Sequence, residues 1–201
     1  AARENGHGTE GTWRVRIADP KTPARKLYEA LVRLAAAPPD PPAAPTLSAI
    51  DAPCEVSVTE AYDRWTFHGP ALQVIEQLRR VDARGIDAVV RPSSPRAIAG
   101  ASGGWLIDAA MLDAGPQIAT IWSRYHQDVT VLPNRIACYH RYGPLAGPPA
   151  EVLFRVSTGL DGQTYKGDVW YLRGGRVLGR IEGLEGSGTL ELNRITLKPP
   201  R

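Results

Sequence analysis

Apolar and polar residues alternate along several segments of this 201-residue chain, which is the pattern of half-buried β-strands. Trp13, Val15 and Ile17 alternate in this way within residues 12–18. Two further runs, 74–83 and 86–93, flank the turn residues Arg84-Gly85, so we predict a β-hairpin there. Later apolar runs are separated by glycine- and proline-rich turns and occupy residues 130–142, 150–158, 163–174, 176–186 and 188–197.

Two segments have apolar residues at helical spacing instead. In residues 22–37, Thr22 is suited to cap a helix and Pro23 to occupy its first position. Apolar residues that would share one face of that helix are Leu27, Ala30, Leu31 and Leu34. The second segment is longer and predicts a helix over roughly residues 104–125.

The proline-rich run 38–45 separates two parts of the chain, because consecutive prolines cannot continue a helix. We therefore predict an N-terminal appendage and linker over residues 1–50 and the main domain over residues 51–201. One long helix with six or seven antiparallel strands predicts an α+β domain. A hotdog fold, in which the sheet wraps around the helix, has this content, but other α+β sheets have it too.

Composition excludes few classes of protein. The chain is 43% hydrophobic and 22% charged with a net charge of +3, which is ordinary for a globular domain. Its basic residues are scattered, so we expect no nucleic-acid partner, and no apolar run reaches the ~20 residues of a membrane helix. Cys54 and Cys138 are too few for a disulfide framework. We expect both thiols to be buried, in a cytoplasmic protein.

The long helix carries the first candidate for chemistry. Asp113 and Gln117 are four residues apart and so share one helical face. Apolar neighbours would raise the pKa of the Asp113 carboxyl and suit it to act as a general acid. Alternatively, Asp108 and Asp113 are surface or first-turn carboxylates, which the helix dipole favours. Pro116 is expected to kink this helix unless the helix begins nearby.

A second candidate is the corner at His68-Gly69-Pro70, after an aromatic segment. Gly-Pro forces a sharp change of direction and presents the titratable His68 there. A turn histidine without chemistry is the alternative reading. No phosphate-binding glycine loop or cluster of metal ligands is present in the sequence, so we expect no metal, nucleotide or redox cofactor.

Four segments in one order resemble the second hotdog of polyketide synthase dehydratases, and also of the polyunsaturated fatty acid synthase type. FHGPALQ (67–73) is similar to the segment that opens that hotdog, and DAAMLDAGPQ (108–117) to the motif of its helix. VLPNRIACY (131–139) resembles the Leu-Pro strand that follows, and residues 167–184 resemble the terminal hairpin. The resemblance covers about residues 53–195 and implies a C-terminal hotdog half.

The resemblance implies a role for individual residues. Asp113 matches the catalytic aspartate that protonates the leaving β-hydroxyl, and Gln117 matches the polar residue after it. Asp108 stands where the family commonly has histidine. Residues that the resemblance places at the substrate are His68, Gly69, Pro70, Leu132 and Pro133.

The family's catalytic base is a histidine in a His-x-x-x-Gly-x-x-x-x-Pro motif of the first hotdog. His7 matches the first half of this motif, but Arg16 stands in place of its proline. His126 and His140 do not fit the motif either. We therefore expect the base to come from a first hotdog that this chain lacks, and the chain alone to be inactive.

Three functions are consistent with these residues. The first is a dehydratase that eliminates water from a β-hydroxyacyl thioester, whose acyl chain arrives on the phosphopantetheine of an acyl carrier protein. The second is an inactive pseudo-dehydratase that serves as a scaffold or as a docking domain for the carrier protein. The third, a stand-alone hotdog thioesterase or hydratase acting as a homodimer, is disfavoured by the proline linker. Neighbouring megasynthase domains are further implied partners, and a homodimer is consistent with the family.

Overall fold

The structure is a computed structural model that describes residues 2–5, 10–46, 50–93, 98, 107–158 and 163–196. The chain divides into two compact units, Ala1–Pro39 and Asp40–Arg201. No helix in the described part of the chain is long and apolar enough to span a membrane.

The first unit is an antiparallel sheet of three strands. They are β1 (Ala2–Asn5), β2 (Gly11–Asp19) and β3 (Thr22–Leu34), in the order β1-β2-β3. The predicted strand over residues 12–18 is confirmed as part of β2. The predicted helix over residues 22–37 is wrong, because β3 pairs with β2 from Thr22 opposite Asp19 to Leu34 opposite Gly11.

The spacing of apolar residues in β3 explains this error. Leu27 and Leu31 are four residues apart, and residues four apart share a face in a strand as well as in a helix. Pairing with β2 gives the backbone N–H and C=O groups of β3 the hydrogen bonds that they would otherwise make within a helix. Such tertiary context overrides helix propensity. The side chain of Arg16 adds to this pairing by donating from Nη2 to the Ala24 carbonyl at 3.1 Å.

The second unit holds a six-stranded antiparallel sheet in the order β4-β5-β7-β8-β9-β6. Its strands are β4 (Ile75–Asp82), β5 (Gly85–Val90), β6 (Thr130–Arg141), β7 (Ala150–Thr158), β8 (Thr164–Arg173) and β9 (Arg176–Thr189). Its helices are α1 (Val58–Glu60), α2 (Ala109–Gln127) and α3 (Asn193–Thr196). A π-helical turn (Ala61–Trp65) continues α1, and 3₁₀ turns occupy Pro70–Leu72 and Leu190–Leu192. The last predicted run, 188–197, is therefore a strand only as far as Thr189.

The predicted hairpin is confirmed by β4 and β5, whose last pair is Asp82 opposite Gly85. Gly85 has a φ of +153°, and a Cβ at this position would lie 2.0 Å from the Phe154 carbonyl oxygen. Glycine is therefore required here, since any side chain would strike the neighbouring strand β7.

Helix α2 packs against β5, β6, β7 and β8, and twelve of its nineteen residues are buried. It begins at Ala109, later than predicted, because the Asp108 side chain caps it by accepting from the Met111 backbone N–H at 3.0 Å. Residues 104–106 of the predicted helix lie outside the described residues. Near the other end of α2, Trp122 Nε1 donates to the Asp82 carbonyl at 2.7 Å, which ties the helix to the hairpin.

Pro116 lies inside α2 and leaves one carbonyl without its helical donor. Proline has no backbone N–H, so the carbonyl of Leu112, four residues earlier, loses its partner. The hydroxyl of Tyr171, a fully buried residue of β8, donates to that carbonyl instead. Gly115 makes room for this contact, because a Cβ there would lie 2.3 Å from the Tyr171 hydroxyl oxygen.

The two cysteines are free thiols. Cys54 is half-buried, with its Sγ 3.8 Å from the Val56 carbonyl, whereas Cys138 is exposed. The prediction that both are buried is therefore wrong for Cys138, because its strand β6 ends the sheet and pairs with β9 alone among the described strands.

A double-mutant cycle tests the contact between Tyr171 and the helix. Tyr171→Phe should lower the free energy of unfolding by about 1–3 kcal/mol, because it leaves the buried Leu112 carbonyl unsatisfied. In a Pro116→Ala background the new backbone N–H replaces the hydroxyl, so the same change should cost less. Urea unfolding of the four proteins measures both costs, and equal costs in the two backgrounds would contradict this account.

Candidate functional site

Asp113 lies in the second turn of α2 and is the centre of a small polar cluster. Its Oδ2 accepts a hydrogen bond of 2.9 Å from Gln117 Nε2, and His68 Nε2 lies 3.4 Å from the same oxygen. The Asp113 side chain is 38% exposed, whereas that of His68 is only 12% exposed. A carboxylate with one open side, held by two neighbours on the other, can meet a ligand.

Gln117 is buried, and the described residues satisfy its side chain at both ends. Its Nε2 donates to the Leu72 carbonyl at 3.0 Å as well as to Asp113. Its Oε1 accepts from the Tyr62 hydroxyl at 3.0 Å. The amide therefore links helix α2 to the segment that carries His68.

His68 is held at its corner by neighbours in the same segment. Its carbonyl accepts from Gln73 Nε2 at 2.8 Å, and its ring stacks on Phe67 at 4.6 Å between centroids. Gly69 precedes the 3₁₀ turn, and Pro70 is the first residue of that turn. Pro70 suits this place because its fixed φ and missing N–H are tolerated at the start of a helical turn.

The pKa of Asp113 contradicts the prediction made from its apolar neighbours. Burial raises the pKa of the Asp113 carboxyl. Hydrogen bonding by His68 and Gln117 lowers this pKa by more than burial raises it. The net pKa lies below the ordinary value, so the site favours the ionised carboxylate. The resemblance placed both residues at the substrate, but the local pattern did not predict that His68, 45 positions away, would face this carboxylate.

Asp108 has a structural role that differs from that of Asp113. It is buried, caps α2, and accepts a hydrogen bond of 2.7 Å from the Ser93 backbone N–H as well as one from the Ser93 hydroxyl. The first-turn reading of the two carboxylates is thus correct for Asp108. These three hydrogen bonds to one carboxylate fix the start of the helix that carries Asp113.

Two further predicted site residues lie on another element. Leu132 and Pro133 are on β6, opposite Ser187 and Gly186 of β9, and no hydrogen bond or ion pair among the described residues joins them to Asp113. His7 falls outside the described residues.

The remaining histidines have other neighbours. His126 is exposed near the end of α2 and contacts the rings of Trp122 and Tyr125. His140 lies on β6 with Nε2 3.5 Å from a carboxylate oxygen of Glu182. Across the described part of the chain, no group of three His, Cys, Asp or Glu side chains is placed to hold a metal ion.

One known family matches this sequence. The sequence model described as "Polyketide synthase dehydratase N-terminal domain" matches residues 42–189, which is more than half of the chain. The chain belongs to the polyketide synthase dehydratase family. The match confirms the predicted resemblance to a hotdog half of such a dehydratase. A search of curated proteins found no match.

Solved dehydratase domains confirm the hotdog fold. A trans-AT polyketide synthase dehydratase domain from Brevibacillus brevis matches with a TM-score of 0.67 and 19% identity over 90% of this chain and 65% of its own. The dehydratase domain of the CurH module of curacin polyketide synthase gives 0.63 and 18%, over 95% and 69%. That of a mycocerosic acid synthase-like polyketide synthase gives 0.66 and 19%, over 88% and 64%. This dehydratase-family chain thus spans less than two thirds of the first of these structures.

The lowered pKa of Asp113 predicts how the stability of the chain depends on pH. Because the pKa is lower in the folded than in the unfolded chain, ionised Asp113 stabilises the fold above the ordinary pKa of about 4. This contribution is lost as the pH falls through the folded-state pKa. The free energy of unfolding should therefore fall more steeply below about pH 4 for the wild type than for Asp113→Asn.

Urea unfolding between about pH 2 and pH 7 measures this difference. The exposed Asp40 provides a control, and Asp40→Asn should follow the wild-type curve. Parallel curves for the wild type and Asp113→Asn would show that Asp113 titrates alike in both states.

Proposed function

We propose that this chain is the aspartate-bearing, C-terminal hotdog of a dehydratase that eliminates water from a β-hydroxyacyl thioester. The observation that carries the proposal is the Asp113 carboxylate, partly open on a helix that is otherwise largely buried. Its Oδ2 is held by Gln117 beside His68, whereas Oδ1 has no hydrogen-bonding partner within the described residues. The family description names the N-terminal domain, and the order of the motifs around Asp113 supports the C-terminal one instead.

The chemistry needs one acid and one base. A base removes the α-proton of the thioester, and the electron pair of that C–H bond forms the double bond between Cα and Cβ. The Cβ–O bond then breaks, and the hydroxyl leaves as water after it takes a proton from an acid. Hydroxide is a poor leaving group, so this proton transfer must accompany bond breaking.

The resting site favours an ionised Asp113, so we assign the acid to the Asp113–His68 pair rather than to Asp113 alone. Asp113 binds the transferable proton on Oδ1 and delivers it to the leaving hydroxyl, while His68 stays 3.4 Å from Oδ2. From the sequence we expected a raised pKa to make Asp113 the acid by itself, and this assignment replaces that prediction.

The base remains to be supplied. His126 and His140 have neighbours other than Asp113, and the family's base is a histidine of the first hotdog. The solved dehydratases are longer than this chain, which leaves room for a second hotdog. We propose that such a hotdog supplies the base, and that an acyl carrier protein presents the substrate on its phosphopantetheine arm.

Reconstitution tests this function. The chain is combined with a first hotdog that contains an intact His-x-x-x-Gly-x-x-x-x-Pro motif and is given β-hydroxyacyl thioesters of several lengths. Formation of the unsaturated thioester is followed by mass spectrometry. We expect turnover from the pair and none from this chain alone, since one chain holds only the acid.

Two Asp→Asn variants show whether the effect on turnover in that assay is specific to Asp113. Asp113→Asn should reduce turnover by about 10²–10⁴-fold, the range for loss of a general acid. Asp40→Asn, an exposed carboxylate in the same unit, should leave turnover unchanged. Turnover by the isolated chain would contradict the need for a second hotdog.

The lowered pKa of Asp113 also favours a second candidate, an inactive pseudo-dehydratase that docks the carrier protein. An ionised carboxylate cannot donate a proton, so a site that always keeps Asp113 ionised would be inert. If the folded, reconstituted pair dehydrates none of the thioesters but binds the carrier protein, the dehydratase proposal fails and this second function replaces it.

A further inference from the structure

A chain of hydrogen bonds reaches Asp113 from the edge of the sheet. The backbone N–H of Ile75 donates to the Tyr62 hydroxyl oxygen at 3.1 Å, and that hydroxyl donates to Gln117 Oε1 at 3.0 Å. Gln117 Nε2 then donates to Asp113 Oδ2 at 2.9 Å. These hydrogen bonds connect three separate segments of the second unit and end at the Asp113 carboxylate.

The direction of this chain is fixed at its first member. A backbone N–H can only donate, so the Ile75 N–H makes the Tyr62 oxygen an acceptor and turns its hydroxyl proton toward Gln117. Burial raises the pKa of Tyr62 to about 12, so this hydroxyl keeps its proton at ordinary pH. Tyr62 is 5% exposed and Gln117 1%, so water does not compete for these contacts.

The fixed direction gives the Gln117 amide one orientation. If the amide were flipped, its NH₂ group would face the donating hydroxyl of Tyr62. Its oxygen would then face both the Asp113 carboxylate and the Leu72 carbonyl, which are acceptors. The observed orientation is thus the one in which each of these groups has a complementary partner.

We propose that Tyr62 is a positioning residue that decides which oxygen of Asp113 carries a transferable proton. Oδ2 receives the fixed Nε2–H of Gln117 and faces His68, so a proton on the carboxyl is directed to Oδ1. Oδ1 has no hydrogen-bonding partner in the described part of the chain and is the oxygen left to meet a ligand. Only the effect on turnover depends on the proposed function, because the protonation itself does not require catalysis.

The charged and titratable groups that act on this cluster come from four parts of the unit. His68 lies beside Oδ2, and Tyr62 reaches it through Gln117. Burial raises the pKa of Tyr171 of β8, and Tyr139 and Asp113 add to that rise. Burial also raises the pKa of Tyr62, which Arg91 opposes. A test must therefore separate the route through Gln117 from a general change in this field.

A double-mutant cycle read by NMR makes that separation. The ¹³C signal of the Asp113 carboxyl is titrated in the wild type, in Tyr62→Phe, in Gln117→Leu and in the double variant. Tyr62→Phe should raise the pKa of Asp113, because the amide is no longer held toward the ionised carboxylate. In the Gln117→Leu background the same change should have no further effect. Tyr139→Phe is the matched control, since its buried hydroxyl has no partner among the described residues, and it should leave the titration unchanged.

The proposal is overturned if Tyr62→Phe leaves the pKa of Asp113 unchanged, or shifts it equally with and without Gln117. Should Tyr62→Phe not fold, Gln117→Glu tests the Gln117–Asp113 contact on which the role of Tyr62 depends. It retains an acceptor for Tyr62 but places a second carboxylate at Oδ2, so one of the two carboxyls should titrate well above its ordinary range. Two carboxyls that both titrate normally in folded Gln117→Glu would overturn the proposal.

In the reconstituted enzyme, Tyr62→Phe should lower kcat about tenfold and leave KM unchanged, which corresponds to loss of one hydrogen bond in the transition state. The NMR titration of Asp113 tests the positioning role by itself, whether or not turnover is seen. Absence of turnover in every protein, with the NMR cycle as expected, would reject the dehydratase and retain the role of Tyr62. The two proposals thus fail by different observations.

Discussion

Helix α2 lies against one face of the sheet, and its burial makes several polar groups on it depend on a protein partner. Thr120 and Ser123 donate to the carbonyls of Val131 and Val129, each at 2.9 Å, which ties the helix to the start of β6. The Leu112 carbonyl, left without a donor by Pro116, is satisfied by Tyr171. Asp113 differs from these groups, because its carboxylate is partly open, and the candidate site lies at that opening.

Local sequence signals predicted much of the fold where the local pattern had a single interpretation. The turn residues Arg84-Gly85 marked the hairpin, and the structure shows that a Cβ at Gly85 would strike Phe154. The apolar runs after the helix became β6 to β9. Strand β3 was missed because spacing of four residues suits both a helix and a strand. Its partner β2 decides between them, and pairing between strands is not visible in the apolar pattern of one segment.

The site was predicted less completely, because its contacts join residues far apart in the sequence. The spacing of Asp113 and Gln117 is local and was recognised, and the structure shows their hydrogen bond. The positions of Tyr62 and His68 near them come from the packing of the short helical segment on α2. For the same reason the sign of the Asp113 pKa could not be read from its neighbours in sequence, which are apolar, while its neighbours in space are donors.

The shared acceptor at Asp113 also constrains how the protein can vary. His68 and Gln117 both face Asp113 Oδ2, so a substitution at one changes how much the other contributes to stabilising the carboxylate. In a library that randomises either position alone, most variants would lose one of the two contacts to Oδ2 without compensation from the other. Randomising them together, with position 62 as the third member, allows a new donor in one place to compensate for one removed elsewhere.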